Sequence, residues 1–380
     1  MLAALSLPLV QQSVPMVHVE PLFGFFDIAQ DSAFSWSGWF SGAWQHRKEA
    51  YLNDNTGFRP ILIRAKDQID FSLFRQTNYG GTLAGKDNCL FFDNYIFAYT
   101  GADYIGDSAI CRRLLMLKAL QDTFAHLGKS LLVVHAPSKA YYFAERIPAR
   151  FLQHTGPTNY ASYLRIGDSL GIPQVDFNAW FLKLKDTSKY MLFSNAGIHW
   201  TMYGATLAGD SLVRYLERVR QVQLPHPVCE RYEHFYGAKY SDDDIEKLAN
   251  LLLNVNGERF AYPVLRYTDD SATRKLNVLM IGDSFALTLL QNGMPQHTFR
   301  DWQFWFYFRF INANGISIGG DNNNPDVEKS DWLGTLSHAD CILLIYTSTN
   351  LTYGHTEFGS GFIEKAYDHY FPAGPYHTIK

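Results

Sequence analysis

Apolar and polar positions alternate in blocks along most of the chain, and these blocks predict strands followed by helices. Short, nearly continuous apolar runs predict buried strands at "SLLVVHAP" (130–137), "NVLMI" (277–281) and "ADCILLIY" (339–346). Amphipathic stretches between them repeat apolar residues at helical spacing, as in "CRRLLMLKALQDTFAHLG" (111–128) and "HWTMYGATLAGDSLVRYLERVRQ" (199–221). Strands of this kind alternating with helices indicate an α/β fold: a parallel sheet covered by helices on both faces.

The rest of the chain adds helices before the sheet and an insertion late in it. We expect 1–34 to be a separate N-terminal segment and 35–380 to form one α/β domain with an N-terminal helical extension and an insertion around 225–270. Further predicted elements are two helices separated by a turn within 35–80, a turn opening a short hairpin at "GKDNCLFFDNYIFAY" (85–99), a helix at "TNYASYLRIGDSLG" (158–171), a strand at "IPQVDF" (172–177) and a helix at "SDDDIEKLANLLLNV" (241–255).

The tripeptide Gly-Asp-Ser occurs four times, at 106–108, 167–169, 209–211 and 282–284. Chemistry in an open parallel sheet gathers where a strand ends and a helix begins, so a nucleophilic serine is expected in that context. Asp107 or Ser108 of the first copy is predicted to cap a helix, and the second and third copies lie inside helical patterns. Only the fourth copy has a buried strand before it and a helical pattern after it, which makes Ser284 the candidate nucleophile. The alternative is a helix cap without chemistry.

A serine hydroxyl needs a general base within hydrogen-bond reach. Among the 13 histidines, His199 in "FSNAGIHWTMYGA" (193–205) stands out, since it lies at the start of a predicted helix beside Trp200. The competing interpretation is a structural histidine packed against its tryptophan neighbour.

The "HWTMYGA" element upstream of "IGDSF" resembles the SGNH hydrolase-like domain of the alginate O-acetyltransferase (AlgJ/AlgX) family. Other stretches resemble that family in the same order, across about residues 40 to 355. They are "RKEAYLNDNTGFRPILIRAKDQIDFSLF" (47–74), "GKDNCLFF" (85–92), "VVHAPSKAYYFAERIP" (133–148) and "ADCILLIYTSTNL" (339–351). The resemblance implies a three-layer, flavodoxin-like SGNH fold.

The resemblance also implies a reaction, namely acetyl transfer to an exported polysaccharide outside the cytoplasm. A membrane-bound O-acyltransferase partner would deliver the acetyl group. Ser284 would be the nucleophile and His199 the base, supported by Gly282, Asp283 and Trp200. A carbohydrate acetylesterase, or a non-catalytic polysaccharide-binding or assembly component, is the alternative function.

One position departs from the family pattern. Where the family has an aspartate two residues before the histidine, this chain has Gly197. That aspartate normally orients the imidazole and stabilises its cation. Three accounts stay open: another acid (Asp176 or Asp283) takes over, a backbone carbonyl orients His199, or the protein is catalytically weak or silent. Asn195 could hydrogen-bond the ring but supplies no charge.

Several other residues are weaker candidates. The backbone N–H groups of the turn at the nucleophile, that of Phe285 among them, are expected to hold an oxyanion. Asn350 is either a further oxyanion donor or a turn residue. Arg309, in the aromatic stretch "FRDWQFWFYFRF" (299–310), either binds an acidic sugar or belongs to a buried strand with ring packing. Lys139 is expected to be a solvated loop charge.

Composition excludes some partners. The net charge is −4 without a run of Lys or Arg, so nucleic acid is not an expected partner. Four scattered cysteines without a CxxC pair, and the lack of a Gly-rich phosphate loop, give no indication of a metal or a cofactor. The apolar start "MLAALSLPLV" is too short to span a bilayer. It is interpreted either as the remnant of an anchor or signal, with membrane association of a periplasmic protein, or as a frayed segment.

Overall fold

The computed structural model describes residues 2–24, 27–153, 155–254, 257–268, 273–314, 324–352 and 358–376. Its helices are α1 Leu2–Ser13, α2 Trp36–Ser41, α3 Ala43–Asn55, α4 Arg59–Phe74, α5 Asp93–Thr100, α6 Asp107–His126, α7 Lys139–Tyr142, α8 Asn159–Ser169, α9 Phe177–Leu184, α10 Met202–Arg220, α11 Asp244–Leu248, α12 Phe285–Gln291, α13 Met294–Thr298, α14 Trp332–His338 and α15 Phe362–Tyr370. Its strands are β1 Thr82–Ala84, β2 Leu90–Phe92, β3 Ser130–His135, β4 Gln174–Asp176, β5 Pro227–Tyr236, β6 Arg259–Tyr267, β7 Asn277–Gly282, β8 Asp301–Phe306, β9 Phe310–Ala313 and β10 Cys341–Tyr346.

The chain divides into two compact units. The first consists of 1–84 and 244–256 and contains α1 to α4 and α11. The second consists of 85–243 and 257–380 and contains the large sheet. No helix in the described residues is both long and apolar enough to cross a membrane.

A six-stranded sheet with the order β4-β3-β10-β7-β8-β9 forms the centre of the second unit. Every neighbouring pair is parallel except β8 and β9. This mostly parallel sheet confirms the predicted α/β fold. Because parallel strands end at the same edge, the carboxyl ends of β3, β7, β8 and β10 lie side by side.

Helices cover both faces of this sheet, as the apolar runs predict. Alternate strand residues such as Val133 and Leu344 pack into a buried cluster with α6, α8, α14 and α15. On the opposite face, α9 and α12 lie against the strands, and α10 packs on α12. The second and third Gly-Asp-Ser copies lie within α8 and α10, as predicted. The first differs slightly, since Gly106 is the cap residue of α6 and no side chain caps that helix end.

Two predicted elements are only partly right. The predicted turn is present and joins β1 and β2 in a two-stranded sheet, with the N–H of Gly85 donating to the carbonyl of Cys89 at 2.7 Å. After β2, however, the chain forms α5 and not a further strand; α5 has an acidic residue, Asp93, in its first turn and buries Tyr95 and Ile96. The predicted helix over 241–255 is reduced to α11, and Asn250 two residues beyond it has a left-handed φ of 48°. The segment 225–270 also contains an antiparallel pair of strands, β5 with β6.

The end of β7 runs unusually close to β10. A Cβ atom added at Gly282 would lie 2.1 Å from the carbonyl oxygen of Ile345, so the strand pair closes only around a glycine. The next residue, Asp283, donates its N–H to the same carbonyl at 3.1 Å. The glycine therefore lets the chain leave the sheet beside β10 and carries Ser284 to the sheet edge.

Replacing Gly282 by alanine should lower the free energy of unfolding by about 1–3 kcal/mol, because backbone has to move to admit the methyl group. Urea unfolding followed by circular dichroism measures this. Gly209→Ala, in another Gly-Asp-Ser copy, is the matched control. Its new Cβ would meet nothing closer than 3.6 Å, and a helical alanine should be neutral or stabilise by roughly 0.5–1 kcal/mol. Equal unfolding midpoints for the two variants would contradict the close approach.

Candidate active site

Ser284 and His199 meet at the sheet edge. Ser284 lies in the tight turn between β7 and α12, and His199 lies just before α10. The Nε2 atom of His199 is 2.8 Å from the Oγ atom of Ser284, although the two residues are 85 positions apart. Both side chains are half-buried, so the pair is open to a substrate. This distance suits proton transfer between a serine hydroxyl and an imidazole base.

Trp200 anchors the histidine to the same helix that follows the serine. Its side chain is fully buried, and its indole N–H donates to the hydroxyl of Thr288 in α12. The ring of Phe285 lies between the two neighbours, with centroids 4.8 Å from that of His199 and 5.6 Å from that of Trp200. His199 and Trp200, which are adjacent in the chain, are thus both held against the first turn of α12, and this keeps the imidazole beside Ser284.

A buried lysine holds the loop that precedes His199. Lys139 is fully buried, and its ammonium donates to the carbonyls of Asn195 at 2.8 Å and Gly197 at 2.6 Å. The prediction of a solvated loop charge is therefore wrong. The position of Lys139 could have indicated this role, because Lys139 follows Pro137 just beyond the carboxyl end of β3, at the sheet edge where the site forms.

Asn195 is bound on every side. Its N–H donates to both carboxylate oxygens of Glu258, at 2.9 and 3.0 Å, while its side-chain oxygen accepts from Arg146 and its amide donates to the carbonyl of Asp87. Burial raises the pKa of Glu258, and the Asn195 N–H and the charges of Lys139 and Arg146 partly offset this. Asn195 therefore fixes the loop, and its side chain is not directed at the His199 ring as suggested from sequence.

The two acids proposed to replace the family aspartate are engaged elsewhere. Asp176 caps α9 by accepting the N–H of Ala179 at 3.0 Å, and both its oxygens accept from the hydroxyl of Tyr160 at 2.8 Å.

Asp283 is fully buried, and its carboxylate oxygens point into the sheet edge. One oxygen accepts the N–H of Phe285. The other accepts the N–H of Thr347 and the side-chain amide of Asn350. Burial raises the pKa of Asp283, against the effect of these donors and of the nearby His199.

The predicted oxyanion donors need revision. The N–H of Phe285 already donates to Asp283 at 3.0 Å, and that of Ala286 donates to the Asp283 carbonyl at 3.2 Å, so neither points into an oxyanion position. Asn350 lies at the site as expected, with its amide 2.8 Å from Asp283. The hydroxyl of Tyr307 lies near the backbone N–H and the side chain of Ser284 and near Asn350.

Tyr307 is the site residue that sequence reasoning missed. It follows β8, has a left-handed φ of 50°, and donates its N–H to the carbonyl of Gly282 at 2.9 Å. Such a backbone conformation is costly for a residue with a side chain and is concentrated at functional sites. Burial, and then the charge of Asp283, raises the pKa of Tyr307. Nearby Arg309 is exposed, with its guanidinium 4.7 Å above the ring of Phe310.

Across the described part of the chain, no group of three or more His, Cys, Asp or Glu side chains converges as a metal site would.

The site and fold define an SGNH-type arrangement, and the comparison with known families agrees. Residues 82–236, which include His199, match the model of the family described as "SGNH hydrolase-like domain, acetyltransferase AlgX". This match confirms the family resemblance inferred from the motifs. No curated protein sequence matches the chain.

Several solved structures match the chain at low sequence identity. The O-acetyltransferase domain of Pseudomonas putida AlgJ is 16% identical, covering 76% of this chain and 99% of that one, with a TM-score of 0.48. Bacillus cereus PatB1 with a sulfonyl adduct is 14% identical, covering 75% and 99%, with a TM-score of 0.48. Pseudomonas aeruginosa AlgX is 17% identical with a TM-score of 0.38; the match covers 72% of this chain and 56% of AlgX.

Lys139→Met should lower the free energy of unfolding by about 2–4 kcal/mol, because two buried carbonyls lose their charged donor. Denaturant unfolding measures the loss. Lys118→Met is the control, since Lys118 makes an exposed ion pair with Asp122 one turn along α6, and its loss should change stability by about 0.5 kcal/mol or less. A Lys139→Met protein as stable as the control would contradict the anchoring role.

Proposed function

We propose that the protein is a polysaccharide O-acetyltransferase that carries the acetyl group on Ser284. The contact of 2.8 Å between His199 Nε2 and Ser284 Oγ is the observation that carries the proposal. The family-model match, whose description names an acetyltransferase, supports the choice of acyl group.

The first half-reaction loads the enzyme. Ser284 Oγ attacks the carbonyl carbon of an acetyl donor while its proton passes to Nε2 of His199. The tetrahedral intermediate then collapses, the donor oxygen leaves with the proton held by His199, and the acetyl group stays on Ser284 as an ester. In the second half-reaction, His199 takes the proton of a sugar hydroxyl, whose oxygen attacks the acetyl carbonyl. Ser284 Oγ then leaves and recovers its proton.

The negative oxygen of each intermediate needs donors beside Ser284. The N–H of Ser284 and the hydroxyl of Tyr307 lie near each other beside Ser284 Oγ, and both would donate to the oxyanion as it forms. Asn350 would hold Tyr307 and Asp283 in place rather than bind the oxyanion alone.

The donor and the location are part of the same proposal. An acetyl group delivered by a membrane-bound O-acyltransferase would be transferred to an exported polysaccharide in the periplasm or another extracytoplasmic space. With water in place of a sugar hydroxyl, the same steps give an acetylesterase. Gly197 is the feature that favours the other alternative, a non-catalytic polysaccharide-binding or assembly component.

Wild-type protein incubated with 4-nitrophenyl acetate should gain one acetyl group on Ser284, seen by intact-mass and peptide mass spectrometry. Ser284→Ala should gain none, and His199→Gln should load roughly 10²–10⁴ times more slowly because the base is lost. Ser211→Ala, in another Gly-Asp-Ser copy, is the matched control and should load normally.

An acceptor polysaccharide added to the loaded enzyme then separates transfer from hydrolysis by its products. If the wild type is never acetylated, and Ser284→Ala cleaves the ester as fast as the wild type, the enzymatic proposal is rejected in favour of a binding component.

Tyr307→Phe should lower the rate of Ser284 acetylation by roughly 10²-fold, because one oxyanion donor is lost. Stopped-flow release of 4-nitrophenolate measures that rate. Tyr346→Phe, which removes a hydroxyl bonded to Ser360 away from the serine, is the control and should load at the wild-type rate. Unchanged acetylation in a folded Tyr307→Phe protein would remove Tyr307 from the mechanism.

A further inference from the structure

The Nε2 atom of His199 faces Ser284, so Nδ1 is the ring atom through which a further group would orient the imidazole. In a serine–histidine pair, a carboxylate on that side fixes the tautomer and stabilises the imidazolium. Asp283 lies on the serine side and Asp176 caps a helix, so neither takes this place.

The space beside Gly197 is occupied by another part of the chain. A Cβ atom added at Gly197 would lie 2.6 Å from the carbonyl oxygen of Asp242 and 2.8 Å from that of Ser241. The backbone of 241–242 therefore fills the volume into which a side chain at position 197 would project. An aspartate at position 197 therefore does not fit, because the backbone of 241–242 lies where its Cβ atom would be.

Asp242 is tied firmly to the histidine loop. Its carbonyl accepts from the hydroxyl of Ser194, and that hydroxyl accepts the N–H of Gly197 at 2.7 Å. These bonds tie Asp242 to Gly197, two residues before His199 in the chain, although Asp242 is 43 positions beyond His199 in the sequence. The insertion between β5 and β6 thus reaches the same loop as Lys139.

The side chain of Asp242 is a buried carboxylate. Only 2% of the residue is exposed, and its carboxylate contacts the hydroxyl of Tyr262 on β6. A buried carboxylate requires donors or a positive partner to be stable. The other acid of this region, Glu258, uses both oxygens on the N–H of Asn195. The backbone of Asp242 thus lies directly against Gly197, the position from which the family aspartate would reach the imidazole, and a buried carboxylate belongs to that same residue.

We infer that Asp242 supplies, from the β5–β6 insertion, the carboxylate that Gly197 lacks. This inference rests on the proposed function. Asp242 is a positioning residue: its carboxylate accepts the Nδ1–H of His199, so Nε2 is left as the base for Ser284. When the Ser284 proton moves to Nε2, the imidazolium keeps both protons and Asp242 stays ionised. The backbone that excludes a side chain at Gly197 then belongs to the same residue that supplies the carboxylate, so the acid comes from a different segment of the chain.

The test uses the full chain with Asp242→Asn, which keeps the shape and loses the charge. We expect kcat for 4-nitrophenyl acetate to fall roughly 10³- to 10⁴-fold with KM changed by less than about threefold, because orientation of the base is lost while substrate binding is retained. Asp243→Asn is the matched control and should retain activity. Asp242→Glu should recover part of the loss.

A spectroscopic measurement on the wild type makes the inference independent of how the variants fold. Proton NMR should show a low-field resonance from the His199 Nδ1–H, absent in His199→Gln and shifted upfield in Asp242→Asn. Folding of each variant is checked by circular dichroism and thermal melting.

The outcomes separate this inference from the proposed function. Wild-type kcat in a folded Asp242→Asn protein, a loss in Asp243→Asn of the same size, or no low-field resonance in the wild type would each overturn the role of Asp242. If Ser284→Ala still abolishes acetylation in those cases, the proposed function survives. If Ser284→Ala matches the wild type, the proposed function itself fails.

Discussion

The geometry of the site depends on one contact, in which the adjacent side chains of His199 and Trp200 hold the loop before α10 against α12. His199 meets Ser284 at the start of α12, and Trp200 bonds Thr288 one turn later. Because Trp200 is fully buried between aromatic side chains of α9 and α12, the histidine cannot move far without opening the core between those two helices. Whatever fixes the loop before His199 therefore also fixes the distance between base and nucleophile.

Buried charge fixes that loop. Lys139 binds two of its carbonyls, and Glu258 binds its Asn195 N–H. On the other side of the serine, Asp283 ties the end of β7 to Thr347 beyond β10. Buried polar groups of this kind are stable only when their partners are in place, so they specify one arrangement of the loops. The pairing of its polar groups favours one arrangement of the site, which is what the proposed reaction would require of a preorganised site.

Gly197 first suggests a damaged site, and its surroundings give a different explanation. The glycine is required because the backbone of 241–242 passes through the space a side chain would need. The segment that excludes the family aspartate is the one that brings Asp242. Loss of an acid at one position and gain of an acid from an insertion are therefore two results of the same packing.

Local pattern determined the sheet strands, the long helices and the choice among the Gly-Asp-Ser copies, since each depends on the periodicity of neighbouring residues. Local pattern brought Ser284 forward but left His199 open between a base and a structural residue; the family resemblance paired the two. Local pattern was wrong for α5 and α11, which short apolar runs leave ambiguous. The burial of Lys139, the hydroxyl of Tyr307 beside Ser284 and the approach of Asp242 to Gly197 were decided only by the tertiary structure. Each joins segments far apart in sequence, where no periodicity records which side chains will meet.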